Sequence, residues 1–271
     1  MTRLSILLTI AIGVAACGEP ELTATDAALP PETCQPAADP VETYFLAWNT
    51  GNAVLRRCLL DSIWSERGRY VDPQDDVTGI DALSDTIGGI LNGLPVGATI
   101  VLTGPVVSHH DVVQFPWAIK GGDTVVLPGM DFGRLDDGHK LTRIVGFFEG
   151  NEESVTGPLA ELAAAMKEAD STERDIRLHA ATTDEVRFVG PADGTENDHR
   201  GRGALDTFIR DSLENGLRIE LAQTMNTHGE FVRFRWSLID GGGNRLASGV
   251  GIGELAGEPL RFREIVVFST P

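Results

Sequence analysis

What this chain is short of narrows its function before any motif is considered. Basic residues are scarce: Lys and Arg number 22 against 40 Asp and Glu, a formal net charge of −18. Binding a phosphate backbone requires neutralising cations, so nucleic acid is excluded as a partner. The acidic surplus instead serves solubility. Cysteines number only three, and none stands at the Cys/His spacing of a zinc site, so no metal is expected. His109–His110–Asp111 does not supply one, because adjacent strand residues face opposite ways and the tripeptide suits a hairpin turn. There is no GxSxG or HExxH stretch. The glycines of GVGIG (249–253) alternate along a strand and open no helix, which marks bending or close packing rather than a nucleotide loop. No cofactor is expected. HRGRG (199–203) reads as a solvated loop.

Long apolar runs are missing too. The longest near the N-terminus, Leu4 to Val14, follows Arg3 and falls short of the roughly 20 residues that span a bilayer. It has the form of an export signal. Its ending, VAAC, resembles the bacterial lipobox. That resemblance implies cleavage before Cys17, lipidation of its thiol and attachment to a bacterial membrane through the anchor alone, on the periplasmic or cell-surface face. Residues 18–40 are rich in Pro, Ala, Thr and acids without an apolar period, and read as a flexible stalk. With Cys17 lipidated, two readings of the other cysteines stay open. Either Cys34 and Cys58 pair in an oxidising compartment, or Cys58 is a buried free thiol and Cys34 a spare one.

What is present is a repeat. RYVDP (69–73) returns as RFVGP (187–191), VVQFPWAIKGG (112–122) as FVRFRWSLIDGGG (231–243), and RIVGFF (143–148) as EIVVFS (264–269). The pieces keep their order, as a duplicated domain does. Residues 41–149 form one copy, 158–271 the other, and GNEESVTG (150–157) the linker. Each copy opens with a helix: Val41, Tyr44, Phe45 and Trp48 stand at i, i+3, i+4 and i+7, matched by Leu159, Leu162, Ala163 and Met166. Each ends in β-rich runs separated by Gly/Asp turns; in the first copy these are 99–108, 112–120, 124–132 and 141–148. The expected fold class is α+β, two tandem domains in which helices cover one face of an antiparallel sheet.

The order of helix with YFLAWNTGN, then YVDP with DVTG, then hairpins ending VVLPGMDF and IVGFF resembles the nuclear transport factor 2-like fold, with its SnoaL-like cyclases and ketosteroid isomerases. The resemblance implies cone-shaped domains with an apolar pocket. It also implies roles: Asp72 of the DP pair as general base, Tyr44 and Asp131 as donors to an enolate oxygen. The pocket lining is expected from Phe45, Trp48, Trp64, Phe115 and Trp117, with the bulk of Trp48 and Trp64 reducing its volume. Pairing of the two domains through their sheets, as an intramolecular pseudo-dimer, follows from the family's habit.

The residue types suit the chemistry independently. An aspartate is ionised near neutral pH and can take a proton, and buried donors stabilise developing oxyanion charge. Simpler readings stand beside these: Asp before Pro suits a turn, and a tyrosine on an apolar helix face suits a core. The second copy bears on the choice. Its equivalents of Tyr44, Asp72 and Asp131 are Leu162, Gly190 and a residue within 250–252, so the scaffold does not require the polar set. The expected function is a membrane-tethered protein that binds a small apolar molecule in the first domain. The alternatives are a cofactor-free isomerase, cyclase or dehydratase acting there, or association through the sheets.

Overall fold

The computed structural model describes residues 33–191 and 197–270. The expected signal, Cys17 and most of the expected stalk lie outside them. Among the described residues, no helix is long and apolar enough to cross a membrane.

The first half begins with α1 (Pro40–Trp48) and α2 (Ala53–Ile63). Asp39 caps α1, its Oδ1 accepting from the Val41 amide at 2.7 Å, and Pro40 fills the first helical turn, where no amide is needed. Asn52 caps α2 in the same way. Then come β1 (Trp64–Val71), β2 (Asp76–Thr78), α3 (Ile80–Gly93), β3 (Ala98–Leu102), β4 (Val107–His109), β5 (Val112–Gly121), β6 (Thr124–Leu135) and β7 (Leu141–Phe148). Buried Arg56 fastens α2 to α3 by donating to the Ser84 carbonyl at 2.8 Å. Gly88 leaves room for it, since a Cβ there would lie 2.6 Å from the guanidinium. Cys34 and Cys58 form a disulfide that ties the segment before α1 to α2. Of the two readings, pairing is the one observed.

The second half repeats the plan. A two-residue strand, β8 (Glu153–Ser154), precedes α4 (Gly157–Ala165), α5 (Ser171–Ala181), β9 (Thr182–Val189), β10 (Asp198–Arg200), α6 (Arg202–Glu214), β11 (Arg218–His228), β12 (Phe231–Ile239), β13 (Arg245–Ala256) and β14 (Arg261–Ser269). The strand orders are β2-β1-β7-β6-β5-β3, with β4 also on β5, and β10-β9-β14-β13-β12-β11-β8. β1–β7 and β9–β14 are parallel, and the other pairings antiparallel.

Two local expectations are corrected. The run 99–108 breaks at Thr103, whose amide turns to the Pro116 carbonyl, and resumes as β4; Gly104 and Pro105 cannot continue a paired strand there. Within the linker, Glu153–Ser154 form β8, which pairs with β11. HRGRG is not a solvated loop: it supplies β10 and the start of α6, with Arg202 bound to Asp184 and the Thr182 carbonyl.

Side-chain alternation explains why the central strands are buried on both faces. In β5, Val113, Phe115, Trp117 and Ile119 face the helices, while Val112 packs with Phe132, Val145 and Phe147 against Phe231, Val250, Ile252, Val266 and Phe268 of the second sheet. Ion pairs cross beside this apolar layer: Arg134–Glu264 at 2.6 Å, Arg143–Glu254 at 2.8 Å and Arg233–Glu149 at 2.7 Å. Burial alone would raise Asp111, but Arg187 and Arg134 hold its carboxyl below the usual range.

Candidate functional site

In the first half, the helices and sheet enclose a cavity of about 210 Å³. Apolar side chains, including Ile90, Leu94, Ile100 and Leu127, form most of its wall, and Tyr44, Tyr70, Asp72 and Asp131 bring the polar groups.

Tyr44 points inward from α1 and is only 2% exposed. Its ring stacks on Trp64, with centroids 6.2 Å apart, and meets Phe45, Trp48 and Phe115 edge-on. Its hydroxyl lies 3.5 Å from Asp131 Oδ2, a long contact in which the phenol donates. Burial, then the adjacent Asp131, pushes the phenol well above its ordinary pKa, with the Trp48 indole pulling the other way. The Trp48 indole nitrogen is itself buried without a partner of hydrogen-bonding geometry among the described residues.

Asp131 enters from β6, opposite Phe115 in register and therefore on the inner face. The Trp117 indole N–H donates to its Oδ1 at 2.6 Å. Burial pushes this carboxyl up to about 7; the Trp117 bond opposes the rise and the charge of Asp72 adds to it. A carboxyl so placed is partly protonated near neutral pH and can donate.

Asp72 follows β1 directly and is 6% exposed. Its Oδ1 accepts from the amides of Gln74 and Asp75, each at 2.7 Å, and its Oδ2 from the Tyr70 hydroxyl at 2.8 Å. The turn reading and the site reading are thus both realised: one oxygen closes the turn, the other meets a phenol at the cavity. Gly146 of β7 separates the two carboxylates. A Cβ there would lie 2.9 Å from Asp131 Oδ1 and 3.6 Å from Asp72 Cβ.

Of the expected lining, Phe45, Trp48 and Trp117 lie in the wall, with Tyr44, Asp72 and Asp131. Trp64 and Phe115 do not. Both are fully buried one layer behind, against Tyr44, with the Trp64 indole folded over Gly68. Tyr70 was not expected. The signal for it lay inside RYVDP, because on a strand it shares a face with Asp72, two residues on. Burial, followed by Tyr44, Asp72 and Asp131, raises its pKa well above the ordinary value. Its counterpart, Phe188, lacks the hydroxyl. The register also settles the last equivalence: Asp131 opposes Phe115 as Gly251 opposes Phe234. No group of His, Cys, Asp and Glu suited to a metal occurs among the described residues.

Helices laid against one face of a bulged, mainly antiparallel sheet, with a hollow between them, define the nuclear transport factor 2-like class of fold. No family model matches the sequence, and no curated protein matches it either. Among solved structures, the chain is similar to a SnoaL-like family protein from Agrobacterium tumefaciens C58, described as a candidate isomerase. The identity is 30%, over 41% of this chain and 95% of that one, with a TM-score of 0.39. It is also similar to a protein of ketosteroid isomerase-like fold from Catenulispora acidiphila, solved with trimethylamine, at 17% identity over 42% and 88% of the two chains and a TM-score of 0.34. A nuclear transport factor 2-like protein from Exiguobacterium shows 19% identity over 41% and 98%, with a TM-score of 0.34. Over about 41% of its length the chain is thus similar to SnoaL-like and nuclear transport factor 2-like proteins, and the matched stretch has the length of one half.

Proposed function

We propose that the first cavity binds a small, chiefly apolar molecule through a carbonyl-type oxygen. The observation that carries this is the pairing of the Tyr44 hydroxyl with an Asp131 carboxyl raised to about 7, in a wall that is otherwise mostly apolar. Both groups can donate to a neutral acceptor, and the buried Trp48 N–H, which makes no hydrogen bond of good geometry among the described residues, adds a third donor in the same wall. A few placed donors in an apolar hollow fix a ligand's orientation. The test is calorimetric titration with small cyclic ketones across pH 5–9. Affinity should fall above pH 7 as Asp131 ionises, and Asp131→Asn should remove that dependence. Ketones that fail to bind, or bind equally at every pH, refute the reading.

Proton transfer is the second reading, favoured by the position of Asp72 across Gly146 from Asp131 in the same cavity. Asp72 would take a proton beside the carbonyl while Tyr44 and Asp131 stabilise the enolate oxygen. Loss of α-deuterium from a bound ketone, abolished in Asp72→Asn, supports it. Binding without exchange leaves the protein a binder. The VAAC ending at Cys17 carries a separate proposal, of export and lipid attachment to a bacterial membrane. Labelled palmitate incorporated by the natural chain but not by Cys17→Ser is its test.

A further inference from the structure

The second half has lost Tyr44, Asp72 and Asp131, yet it keeps a hollow of the same size, about 210 Å³. Comparing the two registers shows that this hollow has been reshaped, not merely left over. Its inner end is filled. Gly251 replaces Asp131, and the Phe234 ring occupies the space, 2.5 Å from where a Cβ would stand. Val267 replaces Gly146. Trp236, the counterpart of Trp117, donates to the backbone carbonyls of Phe268 at 3.1 Å and Val250 at 3.3 Å, so its indole asks nothing of a ligand.

Elsewhere the wall is opened. Leu127, opposite Ile119, corresponds to Ala247, opposite Leu238; Phe148, opposite Gly129, corresponds to Ser269, opposite Gly249. Trp48 corresponds to Met166, just past α4. Three large side chains have given way to smaller or more flexible ones.

The chemistry of the wall has changed in the same direction. No ionisable side chain lines this hollow among the described residues. The Ser212 hydroxyl donates to its own helix at Phe208. The Asn197 side chain lies beside Gly190, the counterpart of Asp72, its Oδ1 3.5 Å from where a Cβ would stand. It makes no side-chain hydrogen bond among the described residues. This hollow is offered a neutral amide, whereas the first is offered the Asp72 carboxylate.

We propose that the second half is a separate binding site for a neutral, chiefly apolar small molecule such as a medium-chain alcohol, ketone or ester, its one polar group meeting the Asn197 amide. An ionised ligand is disfavoured, because its charge would be desolvated with no counter-charge among the described residues of the wall. A dry apolar hollow takes apolar guests. The site is independent of the first cavity and of any reaction there.

The test uses the whole chain with 1-octanol and octanoate as probes, followed by calorimetry at pH 6.5, where octanoate is ionised and the first cavity keeps its donors. Octanol should bind with a stoichiometry of two. Ala247→Leu with Ser269→Phe gives the second hollow the first half's side chains and should remove one equivalent. Leu127→Trp fills the first cavity and should remove the other. In Leu127→Trp, octanoate should fail to compete with octanol. In that background Asn197→Leu, at a half-buried surface position that folding tolerates, should weaken octanol about fivefold, as loss of one hydrogen bond implies. Octanol that does not bind Leu127→Trp, octanoate that competes equally, or a folded Ala247→Leu/Ser269→Phe protein with unchanged stoichiometry would each overturn the proposal.

Discussion

The ring of His228 in the second half holds the Gly146 carbonyl of the first: Nε2 lies 2.8 Å from the oxygen. A carbonyl only accepts, so Nε2 carries the proton and Nδ1 is bare, buried without a partner among the described residues. Two residues earlier on the same strand, Asn226 donates to the Phe148 carbonyl at 2.8 Å. Gly146 separates Asp131 from Asp72, and Phe148 lines the cavity. The second half therefore grips the strand that shapes the first half's site. His228→Ala leaves the Gly146 carbonyl unpaired and should cost about 1–2 kcal/mol, read as a lower urea midpoint. Ketone affinity in the first cavity should fall with it. A midpoint and an affinity both unchanged would show that β7 is held by its sheet neighbours alone.

Two buried groups give stability opposite pH dependences. Burial lowers His228 below the usual imidazole range. Its contribution is present above the unfolded value of about 6.5 and is lost as pH falls through the lower folded value. Asp131 is raised from 3.8 to about 7. Its contribution is present below 3.8 and lost as pH rises through 7. Asp131→Asn keeps an oxygen for the Trp117 N–H but removes the charge, so it should stabilise the protein at pH 8 relative to pH 4. The shift of roughly three units bounds the effect at about 4 kcal/mol. Denaturation of both proteins at the two pH values checks this. Equal pH profiles would mean that Asp131 is not the group that titrates.

At Gly146 a side chain would collide with Asp131, not with the backbone, since the nearest atom to a built Cβ is Asp131 Oδ1 at 2.9 Å. The strand itself tolerates a side chain there, as Val267 demonstrates at the equivalent position. Gly146→Ala should thus weaken ketone binding at least about tenfold, the equivalent of 1.4 kcal/mol, while the thermal midpoint moves little. A large loss of stability with intact affinity would contradict the assignment of this glycine to the site.

Much of this architecture was legible because repeats and alternation are written in the order of residues. RYVDP and RFVGP, and the paired VVQFPW and FVRFRW, give the duplication and the strands directly. Depth within the hollow was not legible. Phe115 and Trp117 share one face of β5, yet only Trp117 reaches the cavity, because Tyr44 and Phe45 lie over Phe115. The facing of Asp131 could not be counted from the turn, because the β5–β6 register shifts between Ile119 and Lys120 and a one-residue slip reverses every side chain. β8 is too short to show a period at all. The disulfide was open in the sequence because cysteine spacing fixes no pairing.

That disulfide carries the last prediction. Cys34 lies in the segment before the Asp39 cap, and Cys58 on α2, whose Arg56 fastens α3. The bridge closes a loop with a sequence separation of 24, which in the chain-entropy model stabilises the fold by about 3 kcal/mol through the unfolded state. Reduction, or Cys34→Ser with Cys58→Ser, should therefore lower the urea midpoint. The slope of the transition should rise slightly, because the unfolded chain without its cross-link is less compact and exposes more surface. Ketone binding should survive, since neither cysteine lines the cavity and Tyr44 is held by Trp48, Trp64 and Phe115 on its other sides. If binding disappears together with the bridge while the rest of the protein stays folded, α1 is positioned by the disulfide and not by its aromatic packing.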